Sequence, residues 1–176
     1  MPLPDWFKPP ATPSDAAQDM PNEDDAHRIH IAANDPDFPA KREAAVALIC
    51  TAIDVIATPF GYARKGSTWS RSTSHGRTII NLQRSQYGWY ATINLRFILP
   101  NGEAASSGVW ASGDDVHLGQ FYQPDDAHAA EPGRIAYLDV TADAAAQDLP
   151  MTILRTRALP WLDAHHVGSP AITKPP

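Results

Sequence analysis

The sequence holds one cysteine, Cys50, in 176 residues. A lone cysteine excludes an intramolecular disulfide and every metal site built on several cysteines. No uninterrupted run of eighteen apolar residues occurs, which reads as excluding a helical membrane span. Basic charge is in the minority: 14 Lys and Arg against 20 Asp and Glu leave a formal net charge of -6. That sign is wrong for a whole-chain polycation acting on nucleic acid. No phosphate-binding loop is present, because Gly61, Gly66 and Gly76 lack the required spacing and strand-to-helix context. No serine sits between glycines as a nucleophile elbow needs. The histidines also lack metal-ligand spacing. His27 and His30 lie three apart, and on a helix the adjacent His165 and His166 point about 100° apart. His117 and His128 have no companion ligand in sequence. No metal and no cofactor is expected.

What is present is a segregated charge pattern. Residues 1–40 carry eight acids and two bases, and residues 41–60 balance. Residues 61–100 carry six bases and no acid: Arg64, Lys65, Arg71, Arg77, Arg84 and Arg96. Residues 101–176 carry ten acids and four bases. The central positive segment is therefore either neutralised by its flanks in the fold or turned toward an anionic partner.

The length fits one domain with tails. Residues 1–37 hold seven of the 17 prolines and the acidic run Glu23, Asp24 and Asp25. They read as a disordered or loosely draped arm. The arm lacks the basic start and apolar core of a secretory signal. A helix is expected over about 38–57, with Asp37 as its cap and Pro39 in its first turn. Its buried stripe is Ala45, Leu48, Ile49, Ala52, Ile53 and Ile56. Pro59 stops it and Gly61 turns the chain. Cys50 beside the stripe reads as a packed thiol.

Residues 61–100 read as a strand meander at about 67–72, 77–84 and 89–99. The last alternates, with Trp89, Ala91, Ile93, Leu95, Phe97 and Leu99 on one face. A turn at residues 85–88 pairs Arg84 with Trp89, Leu82 with Ala91, and Ile80 with Ile93. The polar face then pairs Gln83 with Tyr90, Asn81 with Thr92, Ile79 with Asn94, and Arg77 with Arg96. Two opposed arginines repel and call for an acid or an external anion. Residues 103–115 read as a loop, and a strand is expected from Val116 through Leu118 and Gln120 toward Tyr122. A strand or extended segment follows over Arg134–Val140. A closing helix spans about 142–164, broken at Pro150 and bent at Pro160. The tail 167–176 is expected to be flexible. The fold class is α+β, an antiparallel sheet of four to five strands covered by an N-terminal and a C-terminal helix, in a single domain over 38–166.

Phe60-Gly61-Tyr62-Ala63-Arg64-Lys65-Gly66-Ser67-Thr68-Trp69 carries the most information, with Asn81-Leu82-Gln83-Arg84-Ser85 and Tyr90-Ala91-Thr92-Ile93-Asn94-Leu95. This pattern resembles the bacterial domain-of-unknown-function family numbered 4304. Tyr62 stands where that family usually shows phenylalanine. Leu159-Pro160-Trp161-Leu162 resembles the end of its last helix. The resemblance covers about residues 40–164. It implies a small cytoplasmic bacterial α+β protein without a cofactor or an established enzymatic activity.

The functional expectation is a non-enzymatic domain that binds another protein through its polar sheet face, at Arg77, Asn81, Gln83, Tyr90, Asn94 and Arg96. Two alternatives stand beside it. A hydrolase-like site would draw on Asp114, Asp115, Asp125, Asp126, His117 and His128 in loops. Single-stranded nucleic acid would use the basic sheet and its aromatics. Against the second, Trp69 and Trp89 fall on the expected core face.

Overall fold

The structure is a computed structural model and describes residues 23–85, 88–98, 116–126 and 133–166. Its elements run α1 (Glu23–Asn34), α2 (Phe38–Ala57), β1 (Ala63–Lys65), β2 (Thr68–Thr73), β3 (Gly76–Arg84), β4 (Tyr90–Ile98), β5 (Val116–His117), β6 (Arg134–Ala136), α3 (Tyr137–Ala142), α4 (Asp148–Ile153) and α5 (Leu159–His166). The sheet order is β1-β2-β3-β4-β5, with β6 also on β4, and every pairing is antiparallel. The fold is α+β as expected. One of its six strands, β1, was not separately resolved in the sequence, because three residues carry too little alternation to read.

α2 has the expected bounds. Phe38 and Pro39 open its first turn, where a missing proline N–H costs nothing. Asp37 occupies the cap position but makes no side-chain cap bond. Asp35 accepts the Asp37 N–H at 2.8 Å instead and takes Lys41 Nζ at 2.7 Å. After a 3-10 turn at Thr58–Phe60, Gly61 adopts φ 82°, a left-handed conformation that glycine reaches without steric cost. The buried residues are Phe38, Ala45, Val46, Ile49, Cys50, Ile53 and Ala57. Leu48 falls off the stripe and is 42% exposed. Together with its extension, Phe38–Phe60 is long and apolar enough by length and composition to qualify as a membrane span, at a mean hydropathy of 1.7. Counting only uninterrupted apolar runs missed this. In the fold it is the helix that packs on the sheet core.

The expected arm is partly a helix. Glu23, Asp24 and Asp25 lie in the first turn of α1, where carboxylates favour the helix dipole. Ile29 and Ala32 pack against the core. Arg28 bonds Asp139 of α3 at 2.9 and 3.3 Å and Asp25 at 3.3 Å. An acidic run that suggested disorder is thus the start of a docked helix. Residues 1–22 and the expected tail 167–176 lie outside the described residues, as does the loop 103–115.

The core sits between one face of the sheet and the helices, around Trp69, Ile80, Leu82, Ile93, Leu95, Ile49, Tyr137 and Leu154. The alternation of β4 holds: Trp89, Ala91, Ile93, Leu95 and Phe97 are buried. The register does not. Arg84 pairs Ala91, Leu82 pairs Ile93, Ile80 pairs Leu95, and Arg77 pairs Ile98, not Arg96. Ser85 N–H donates to Tyr90 O at 2.9 Å, so the turn begins one residue later than expected and the ladder slides by two residues. A slide of two leaves every side chain on its own face, so the hydrophobic pattern could not have detected it.

Three C-terminal expectations also change. Only Val116 and His117 are extended, and Leu118–Phe121 is a 3-10 turn with Leu118 and Phe121 buried. Arg134–Ala136 is a strand, but Tyr137–Ala142 is helical. The closing helix is divided into a 3-10 turn at Ala144–Gln147, α4, a π turn at Leu154–Ala158, and α5. Pro150 sits in the first turn of α4 and breaks nothing. Ahead of Pro160, which lacks an N–H, Leu159 N–H donates to Leu154 O across the π turn.

Candidate functional site

The ladder sorts the basic residues by face. Directly paired residues share a side of an antiparallel sheet. Arg64 pairs Trp69, Arg71 pairs Thr78, and Arg84 pairs Ala91, so all three lie on the helix-covered side. Each meets a carboxylate there. Arg64 donates to Asp54 at 2.7 Å, Arg71 to Asp163, and Arg84 to Glu43 at 2.7 and 3.1 Å. The hydrogen bond from Arg84 holds the Glu43 carboxyl below its ordinary value. Asp54 also accepts the Trp69 indole N–H at 2.6 Å. Half of the central positive segment is thus neutralised by the helices.

The opposite face differs. Lys65 pairs Thr68, Thr68 pairs Asn81, and Asn81 pairs Asn94, which pairs His117. Adjacent rows hold Ser70, Ile79 and Arg96, then Ser72, Arg77 and Ile98. On the other side come Gln83, Thr92 and Arg134. Among the described strand residues of this face there are four cations, Lys65, Arg77, Arg96 and Arg134, and no acid. Asp25 of α1 meets Arg134 at the margin, 3.8 Å away.

All six expected site residues lie on this face. Arg77 and Gln83 are exposed, Asn81, Tyr90 and Arg96 half-buried, and Asn94 is only 3% exposed. The expected confrontation of Arg77 with Arg96 is absent, because Arg96 stands opposite Ile79. Asn81, Gln83, Asn94 and Arg96 cluster at the centre, while Tyr90 lies toward the far end beneath Arg134, 4.7 Å over its ring.

The amides are tied together. Asn81 Nδ2 donates to Thr68 Oγ1 at 2.9 Å, and Asn94 Nδ2 donates to Gln83 Oε1. Asn94 Oδ1 lies 2.7 Å from His117 Nδ1. With its amide nitrogen facing Gln83, Asn94 offers His117 an acceptor, so the histidine Nδ1 is the donor. In the neutral ring Nε2 then keeps its lone pair. Beside this row a concavity of about 170 Å³ is lined by Thr68, Ile79, Asn81, Asn94 and Arg96. Lys65, Thr68 and Arg134 were not among the expected site residues. Their shared face was visible only through the pairing of β1 and β6 with the meander.

The alternative sites fare differently. Asp126 accepts both Arg157 guanidinium nitrogens and the Gln123 N–H, the last at 2.6 Å. The hydrogen bond from Arg157 holds its carboxyl low, so Asp126 fastens a loop to the C-terminal helices. Asp114, Asp115 and His128 lie outside the described residues. Trp69 and Trp89 are buried, leaving them unable to stack bases. Cys50 is buried, and that burial pushes its thiol up, away from a reactive thiolate. Among the described residues no three His, Cys, Asp or Glu side chains are grouped to hold a metal ion. Compared with known proteins, the chain matches no family model, no curated protein and no solved structure.

Proposed function

We propose that this chain is a non-enzymatic binding domain whose polar sheet face docks a partner protein. The observation that carries the reading is the division of charge between the two faces. Arginines on the helix side are matched one to one by helix carboxylates. The other face gathers four cations, of which Arg134 meets Asp25 of α1, and a hydrogen-bonded amide row, with no acid among its described strand residues. Such a face steers and orients an oppositely charged surface. Asn81, Gln83, Tyr90 and Asn94, four positions of the family resemblance, lie on it, and a cytoplasmic bacterial setting belongs to the same proposal.

The test is affinity capture with the intact chain, the R77E/R96E variant, and R155E as a control on an exposed helical position. One specific protein retained by the first and third and lost by the second supports the reading. Equal retention by all three removes the sheet face from consideration.

A further inference from the structure

α1 is attached to the domain differently from α2. α2 buries seven residues between Phe38 and Ala57, whereas α1 buries one, and that one is Asp25. Ile29 and Ala32 pack against the core only in part. Charge supplies further ties. The Asp25 side chain is 4% exposed and faces Arg28 at 3.3 Å and Arg134 of β6 at 3.8 Å. Arg28 also forks onto Asp139 of α3, with Nη2 donating to Oδ2 at 2.9 Å and Nε to Oδ1 at 3.3 Å. Two carboxylates and two guanidiniums thus join α1, α3 and the sheet.

A carboxylate is sustained at that depth by the cations that face it. Swinging α1 outward returns Asp25 to water, so a loss of cation contact favours release. Arg28, Arg134 and Asp139 are each partly exposed, which lets dissolved salt screen their attractions. The swing point is residues 35–37. There Asp35 is fastened to α2 by Lys41 Nζ at 2.7 Å, so α1 can leave without unwinding α2. Once released, a segment of 12 residues is a marginal helix in water and frays.

We propose that α1 is a releasable clasp, latched by Asp25, Arg28, Arg134 and Asp139, that opens while the sheet and α2 stay folded. Arg134 connects the clasp to the polar face. It lies 4.7 Å over the Tyr90 ring and shares a row with Gln83 and Thr92. Closed, the clasp sets Asp25 against Arg134; open, it takes Asp25 away. An acidic group of a partner that engages Arg134 therefore opposes α1 docking, and α1 docking opposes that partner in equal measure. This consequence rests on the partner-binding reading above, whereas the clasp itself does not.

The experiment is amide hydrogen exchange followed by NMR on the full chain, comparing Ile29 and Ala32 of α1 with Ile93 and Leu95 of β4. The α1 amides should exchange at least roughly a hundredfold faster than those of β4, because they open locally. Raising sodium chloride from about 0.05 to about 0.5 M should quicken α1 several-fold and leave β4 unchanged. Arg28→Gln should quicken α1 roughly tenfold, the scale of one charge-assisted bond, again without moving β4. Asp25→Asn should quicken α1 less in the Arg28→Gln background than in the parent, since the two groups act together. The Arg134 Nε–H resonance should shift with salt as α1 opens. The salt series uses the unsubstituted protein and is independent of how the variants fold. A common exchange rate for α1 and β4, an α1 rate indifferent to salt and to Arg28→Gln, or an unmoved Arg134 signal each overturns the clasp. If α1 opens as described but R77E/R96E loses no specific protein, the partner reading falls and the clasp stands. If α1 is as protected as β4 while R77E/R96E loses a protein, the clasp falls and the binding face stands.

Discussion

Asp54 carries two bonds of different character, and substituting it separates them. Its Oδ1 takes the Trp69 indole N–H at 2.6 Å and its Oδ2 takes Arg64 at 2.7 Å. Trp69 is fully buried, while the Arg64 and Asp54 side chains are 38% and 37% exposed. An ion pair that open to water contributes at most about 1 kcal/mol. A buried indole N–H left without an acceptor costs roughly 1–3 kcal/mol. Asp54→Ala should therefore destabilise the fold by about 2–4 kcal/mol, with the larger share from the indole. Asp54→Asn keeps an oxygen for Trp69 and should cost about 1 kcal/mol or less. Urea unfolding followed by circular dichroism reads the difference. With a slope of about 2 kcal/mol per molar, the alanine variant shifts the midpoint by about 1–2 M and the asparagine variant by at most about 0.5 M. Repeating the alanine substitution in an Arg64→Ala background should preserve most of its cost. Equal losses for alanine and asparagine, or an alanine effect that vanishes without Arg64, would show that the ion pair dominates and refute the reasoning.

Two further outcomes follow from local geometry. Gly76 closes the hairpin between β2 and β3 at φ 142°, and a Cβ there would sit 2.5 Å from Ile98 O and 2.8 Å from the Phe97 ring. Gly76→Ala combines overlap with backbone strain and should cost roughly 2–4 kcal/mol; a melting temperature within about 2 °C of the parent contradicts this. Acid should weaken the fold through Asp35, Glu43 and Asp126. Their carboxyls are held low by hydrogen bonds from Lys41, Arg84 and Arg157 respectively. A depressed folded value gives stability that is present above the unfolded carboxylate pKa of about 4 and lost as pH falls through the folded values. Thermal melts should therefore decline below about pH 4, less steeply in Asp126→Asn. A flat acid limb in the parent, or an unchanged slope in the variant, counts against these pairings.

Where the sequence succeeded, the signal was local. The apolar spacing of α2 and its Pro59-Gly61 ending fixed that helix to the residue. The alternation of β3 and β4 separated Ile80, Leu82, Ile93 and Leu95 from Asn81, Gln83 and Asn94. Where it fell short, the deciding contact lay far along the chain. The docking of α1 depends on Asp139, 111 residues from Arg28. An acidic, proline-rich segment without that partner is indistinguishable from a solvated arm. β1 is only three residues, and it is a strand because β2 lies beside it.

Composition and periodicity by themselves determined the α+β class, the span of α2, the side on which each β4 residue lies, and a central segment of six bases without an acid. They could not say which of those charges the helices meet. Tertiary structure decided that by face. Arg64, Arg71 and Arg84 find acids 10, 92 and 41 residues away on the helices. Lys65, Arg77 and Arg96 point the other way, where Arg134 joins them from β6. The physical reason is the two-residue period of a strand. It assigns sides from sequence alone, but which elements cover a side, and in which register strands meet, depends on turn geometry and packing between distant segments.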